Sequence, residues 1–209
     1  MKELLKAFPK TFSEELGIDL TKPSGRFKWF LAAILFGARI SETIVKNTYR
    51  EFEKAGVTSA DKIIETGWDG LVKILDEGGY VRYDFKTASM LLDVMKKLKK
   101  YGSLETLYEN AKDYKDLERR LQEFKGVGPV TVNIFLRELR PIWKKANPEL
   151  SPIVKLAANN LGVKLKPEGT KRFVHLEAAL LRLGKNFCKK KGCKDCPVRR
   201  FCRSNKITT

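Results

Sequence analysis

The chain has 209 residues, 43% of them apolar and 32% charged, and 42 Lys and Arg against 25 Asp and Glu give it a formal net charge of +17. This composition excludes collagen-like and disordered classes and suits one or two small soluble domains with a real core. The longest apolar run, Trp29 to Phe36, is far too short to cross a bilayer, and charges within Met1-Lys2-Glu3-Leu4-Leu5-Lys6 break the stretch a signal peptide would need, so no membrane association and a cytoplasmic location are expected.

No stretch alternates apolar and polar residues between turn signals, whereas 3.6-residue periodicity recurs along the chain, so the expected fold is all-α. In chain order, Ser24 is placed to cap an apolar helix from about Gly25 to Gly37, and Ser41 to cap the next, which Gly56 ends. Short helices are expected over Ser59–Glu65 and Asp69–Leu75. Asp84 is placed to cap a helix whose Phe85, Ala88, Leu91, Leu92, Met95 and Leu98 share one face, ended by Gly102. Further helices are expected over Ser103–Ala111 and Asp116–Glu123. After Leu139 a basic, Pro-containing connection runs to Pro148; Ser151 then suits an N-cap and Pro152 the first helical position. A last helix, about Gly169–Gly184, leads into the cysteines, and its His175, the only histidine, is expected to pack rather than to bind metal.

The charge is unevenly spread. Pro141–Thr209 holds 17 basic and 4 acidic residues, net +13, leaving 25 basic and 21 acidic, net +4, for the first 140. A positive field confined to the last third points to a polyanionic partner, nucleic acid before all others.

Two motifs carry chemistry. The first, Leu121 to Leu136, reads as a helix end, the turn Gly126-Val127-Gly128, and a second helix with Pro129 at its first position: a helix-hairpin-helix. Its glycines let backbone approach a ligand, and the amides at the positive end of the new helix suit a DNA phosphate. Lys125, Gly126, Val127, Gly128 and Thr131 are the candidate backbone-binding residues, with Lys125 as a phosphate contact. The second motif, Cys188-x4-Cys193-x2-Cys196-Pro197-x4-Cys202, uses all four cysteines. Four thiols so close together favour a metal site over disulfides, and their crowding favours a four-iron four-sulfur (4Fe-4S) cluster, with zinc as the alternative. Lys190 and Arg200 are candidate DNA contacts in this basic loop.

The hairpin at Gly126–Thr131, the stretch Lys86-Thr87-Ala88, and Leu183-Gly184-Lys185-Asn186-Phe187-Cys188 leading into the cysteines together resemble the endonuclease III-like branch of the helix-hairpin-helix DNA glycosylases, over roughly Phe27 to Cys202. In the familiar cysteine loop two more residues separate the first two ligands. The resemblance implies a six-helix domain over 26–139, an iron-sulfur domain combining 1–25 with 140–209, and a DNA cleft between them. It implies base excision repair, with double-stranded DNA bearing a damaged or mismatched base as partner and the target base flipped out for hydrolysis of its glycosidic bond.

Two family positions differ. The lysine that forms a Schiff base in strand-cutting members is Val130 here, which cannot act as a nucleophile and implies a base-removing enzyme without lyase activity. The family aspartate falls at Ser151, which leaves Glu149, two residues away, as the nearest anionic candidate and Lys155, one turn on, as a partner for a phosphate or an extruded base. Arg39 is the candidate wedge or base-reading side chain. Tyr80, Tyr83 and Trp29 are pocket candidates whose helical spacing equally suits core. The alternatives are a non-catalytic DNA-binding protein on the same scaffold and a zinc-containing helical DNA-binding module. No sequence feature marks an oligomer, so a monomer is expected.

Overall fold

The computed structural model describes residues 1–204, and among them every regular element is helical. The order is α1 Lys2–Ala7, α2 Phe12–Glu15, α3 Pro23–Phe36, α4 Glu42–Lys54, α5 Ala60–Glu77, α6 Asp84–Tyr101, α7 Leu104–Glu109, α8 Tyr114–Gln122, α9 Pro129–Leu139, α10 Pro152–Leu161 and α11 Lys171–Leu183.

Helix starts follow cap chemistry. Ser41, Ser59, Ser103, Asp113, Ser151 and Thr170 each accept an amide of the following first turn. Two expected caps are replaced. Helix α3 begins one residue before Ser24, because Pro23 supplies a fixed φ at the first position. Asp84 lies inside α6, where its carboxylate accepts the Phe85 amide. The two short helices expected after Ser59 are joined end to end in α5 across Gly67, whose φ of 69° makes the kink. The short α2, with a full capping box between Thr11 and Glu14, had no apolar period to announce it.

Two apolar clusters form. The larger centres on α3, buried on nearly every side from Trp29 to Leu35. Phe30 meets Phe135 at 5.0 Å and Phe124 at 5.8 Å between ring centroids, and the Trp29 indole donates to Phe135 O at 3.1 Å. Replacing Phe135 with Ala there costs about 3–5 kcal/mol. The cluster also takes Phe12, Leu16 and Ile18 from the N-terminal segment and Trp143, Ala146 and Ala178 from the last third. The smaller cluster joins Leu4 of α1 to α10, α11 and Val198, and Cys188 and Cys196 pack against it.

Where the clusters meet lies a layer of buried charge. Arg140, just past α9, bonds Glu177 of α11 at 3.0 Å, with both side chains almost wholly buried. Glu138 accepts the amides of Phe12 and Ser13, each at 3.0 Å. The guanidiniums of Arg182, at 4.1 Å, and Arg137, at 5.0 Å, both lie over the Phe12 ring. Burial pushes the Arg137 pKa down, and its Nε has no hydrogen-bond partner among the described residues. Such a layer contributes little net stability but penalises any other docking of the helices that carry it.

Candidate nucleic-acid interface and metal centre

Helices α8 and α9 form the hairpin. Gly126 has φ +80°, and a Cβ there would overlap Met90 of α6. Gly128 is extended, at φ −93° and ψ −178°, and a Cβ there would meet nothing within 4 Å. Pro129 opens α9, as the sequence indicates. Val127 turns its side chain into the core and its amide donates to Phe124 O at 3.0 Å. The first helical bond into α9 runs from Val132 to Gly128 O, so the amides of Gly128, Val130 and Thr131 have no acceptor among the described residues. These three donors stand at the positive end of an 11-residue helix. Val130 is 64% exposed beside them. Lys125 is exposed but held by Asp93 of α6 at 2.8 Å.

A cavity of roughly 280 Å³ adjoins the hairpin, lined by Gly126 and Thr131 and, across from them, by Gly37 to Arg39 after α3 and by Tyr83, Lys86, Thr87 and Met90 around the start of α6. Arg39 is therefore brought to the hairpin, 87 to 92 positions away in the chain. Of the aromatic pocket candidates only Tyr83 is here. Trp29 and Tyr80 are core, with the Tyr80 hydroxyl donating to Leu35 O at 2.8 Å.

The segment before α10 is fastened to the hairpin helix, since Asn133 Nδ2 donates to Glu149 O at 2.7 Å. Glu149's side chain is 90% exposed and faces Lys155 at 3.7 Å. Ser151 Oγ accepts from Val154 N at 3.4 Å, so this hydroxyl serves as a helix cap. Glu118 of α8, which sequence reasoning did not single out, belongs to the same neighbourhood. Burial raises its carboxyl above the ordinary range, the charge of Glu149 adds to the rise, and Arg140 opposes it. Asn133 and Glu118 lacked any pattern to mark them, because each acquires its role from a loop 16 or more residues further along.

The four cysteines line one cavity of roughly 360 Å³ together with Asn160, Phe187 and Arg199. Successive turns fold the loop around it: Lys191 N to Cys188 O, Gly192 N to Phe187 O, Cys196 N to Cys193 O and Cys202 N to Arg199 O, all between 3.0 and 3.3 Å. Lys191 takes φ 55°, an unusual posture for a residue with a side chain. Burial raises the thiol pKa values of Cys188 and Cys196. Among the described residues no three His, Cys, Asp or Glu side chains converge as a single ion requires. The four thiols, which share one chamber, are the residues here that could hold a metal group. Asn160, which bonds Ser204 through its side chain and Arg203 through its carbonyl, ties α10 to this loop. Lys190 and Arg200 are exposed and, like Lys189, Lys194 and Arg199, pair with no carboxylate among the described residues. His175 bonds Lys171 O and Glu14 far from the thiols.

No family model matches the chain, and no curated protein is significantly similar to it.

Proposed function

We propose that the protein is a monofunctional DNA glycosylase of base excision repair, hydrolysing the N-glycosidic bond of a damaged or mismatched base in duplex DNA. The observation that carries this reading is the set of three amides without acceptors at the start of α9, set beside a cavity into which Arg39 reaches. Backbone donors at a helix start grip phosphate without reading sequence, and a recess next to them is what an extruded nucleotide needs. The basic loop after Cys188 extends the phosphate-binding surface.

In the reaction water adds to the sugar C1′ as the bond to the base breaks, and the base leaves with the bonding electron pair and takes up a proton. Val130 offers no amine, so no Schiff base forms and the strand stays intact. Glu149 is the anion assigned to stabilise the sugar cation, and Lys155 and Ser151 flank it. Cys188, Cys193, Cys196 and Cys202 would hold a 4Fe-4S cluster, which when bound fastens and orders the basic loop.

A second reading, a non-catalytic DNA-binding protein on this scaffold, draws on the exposure of Glu149 and the capping duty of Ser151. One experiment decides between them. Duplexes carrying uracil, a thymine mismatch, oxidised or alkylated bases are incubated with protein purified without oxygen, then heated in alkali to cut at abasic sites. Base release that falls at least about 100-fold in Glu149→Gln, with affinity nearly intact, supports the enzyme and the role of Glu149. Tight duplex binding with no base released supports the second reading.

A further inference from the structure

Four arginines are more than nine-tenths buried, and they are not alike. Arg26 donates to Glu105, Leu20 O and Thr21 O, Arg140 to Glu177, Asn147 and Pro148 O, and Arg182 to Lys10 O. Arg137 is 6% exposed, yet it makes no side-chain hydrogen bond and no ion pair among the described residues. Its guanidinium lies over the Phe12 ring, which attracts the charge but offers no lone pair to the five N–H groups around the guanidinium edge. Arg182 lies over the same ring, and its Nη2, although 2.7 Å from Glu15, is out of line for a hydrogen bond. Two like charges thus share one ring, each with a buried nitrogen that donates to nothing.

The neighbouring carboxylates are turned elsewhere. Glu138 accepts the amides of Phe12 and Ser13, Glu177 is held by Arg140, and Glu15 and Glu42 are shared among Arg182, Lys46 and Lys185. With Lys46 and Lys185 counted, the layer sets five cations against these four carboxylates, which leaves one positive charge over. A buried charge without a partner is strongly destabilising. Of the three Arg137 nitrogens only Nε is sealed off, so the terminal pair can be met from solvent. We propose that Arg137 and Arg182 hold one compact anion, a halide or a phosphate, at the junction of α2, α9 and α11. Its lone pairs take the N–H groups that Phe12 cannot serve, and its charge cancels the surplus. Phe12, Arg137 and Arg182 belong to three different helices, so the bound anion also ties the N-terminal segment to the hairpin helix and to α11. A free ion and a phosphate of bound DNA present the same chemistry to this site.

The test holds full-length protein at constant ionic strength while gluconate, a bulky anion, is replaced stepwise by chloride or by phosphate, with Tm read by circular dichroism. The parent Tm should rise by about 3–6 °C once either ion reaches about ten times its dissociation constant. Arg137→Met keeps an apolar stem over Phe12 and removes the charge, so its Tm should not follow either ion and in gluconate should equal or exceed that of the parent. Chlorine-35 NMR lines should be broader with the parent than with Arg137→Met, and phosphate should remove the difference. Arg137→Gln, neutral and able to hydrogen-bond, takes the place of the Met variant if that variant does not fold. A parent Tm that follows the anion no more than the variants do, or chloride broadening that is the same in parent and variants, overturns the proposal and leaves Arg137 a packing residue. Undamaged duplex DNA then separates the two sources: Arg137-dependent broadening that persists with DNA bound assigns the site to a free ion, and broadening that DNA abolishes assigns it to a backbone phosphate.

Discussion

The two hairpin glycines should fail in opposite ways when substituted. At Gly126 an alanine must hold φ near +80° and push Met90 aside. The left-handed backbone costs about 1–2 kcal/mol, and displacing one flexible thioether adds roughly 1 kcal/mol, for a total of about 2–3 kcal/mol. In a chain of this size that lowers Tm by about 4–12 °C. At Gly128 the backbone is extended and the space beside it empty, so Gly128→Leu should leave Tm within about 2 °C of the parent. Its side chain instead stands where a phosphate would approach the amides of Gly128, Val130 and Thr131. Losing one or more charge-assisted hydrogen bonds, each about 1.5–3 kcal/mol, should weaken duplex binding at least about tenfold. Thermal unfolding followed by circular dichroism and anisotropy titrations at fixed salt measure both effects. Undiminished DNA affinity in Gly128→Leu would refute the assignment of these amides to phosphate, and an unchanged Tm in Gly126→Ala would refute the backbone argument.

Other consequences are equally measurable. Lys145 donates to Tyr108 O and Glu109 O at 3.0 Å and to Ala111 O at 2.6 Å, closing the C-terminal end of α7, so Lys145→Met should cost about 2 kcal/mol and lower Tm by about 4–8 °C. Asp116 is held well below the ordinary carboxylate range by hydrogen bonds from Arg120, the Lys112 amide and Arg119. Its folded pKa is depressed, so the stability it lends is present above the unfolded value of 3.8 and is lost as pH falls below that; Asp116→Asn should flatten the stability profile on the acid side, as read by urea titrations at stepped pH. Glu118 has the opposite sign, a raised carboxyl pKa, so Glu118→Gln should gain stability at neutral pH and none below about pH 4. For the cysteines, iron and sulfide analysis of protein purified without oxygen should find a cluster, and stoichiometric zinc without iron would contradict that assignment; Lys190→Ala or Arg200→Ala should each lower the salt slope of DNA binding by about one unit.

What was legible in the sequence is what local chemistry decides. Ser41, Ser103, Ser151 and Thr170 lie next to the apolar periods they cap, and Gly126-Val127-Gly128-Pro129 spells its own turn, so the helical class and the hairpin could be read directly. Pro23 overrode Ser24 because a fixed φ outweighs one side-chain bond as a helix start. The short α2 escaped because its stability comes from elsewhere, from Glu138 at its amides and Arg182 against Phe12, residues more than 120 positions away. The candidate site divides in the same way. Arg39 was nameable through the family resemblance, but only the packing of α3, α6 and α9 brings it to one recess with Lys86, Tyr83 and Thr131.

That packing also bears on how a loop as open as 147–151 holds a fixed place. Asn133 binds the Glu149 carbonyl from one side, while Arg140 binds Asn147 Oδ1 at 2.6 Å and the Pro148 carbonyl at 2.5 Å from the other. Arg140 is itself locked by Glu177, so the loop is referred to α9 through one residue and to α11 through another. Glu149 thus combines a solvated carboxylate with a backbone held at two points. An exposed carboxylate is a poor stabiliser of a cation in water but a strong one once a bound duplex displaces that water, because the same charge then acts through a lower dielectric. The exposure of Glu149 without DNA is therefore compatible with the role assigned to it, provided its backbone does not have to move, and the bonds from Asn133 and Arg140 supply that condition.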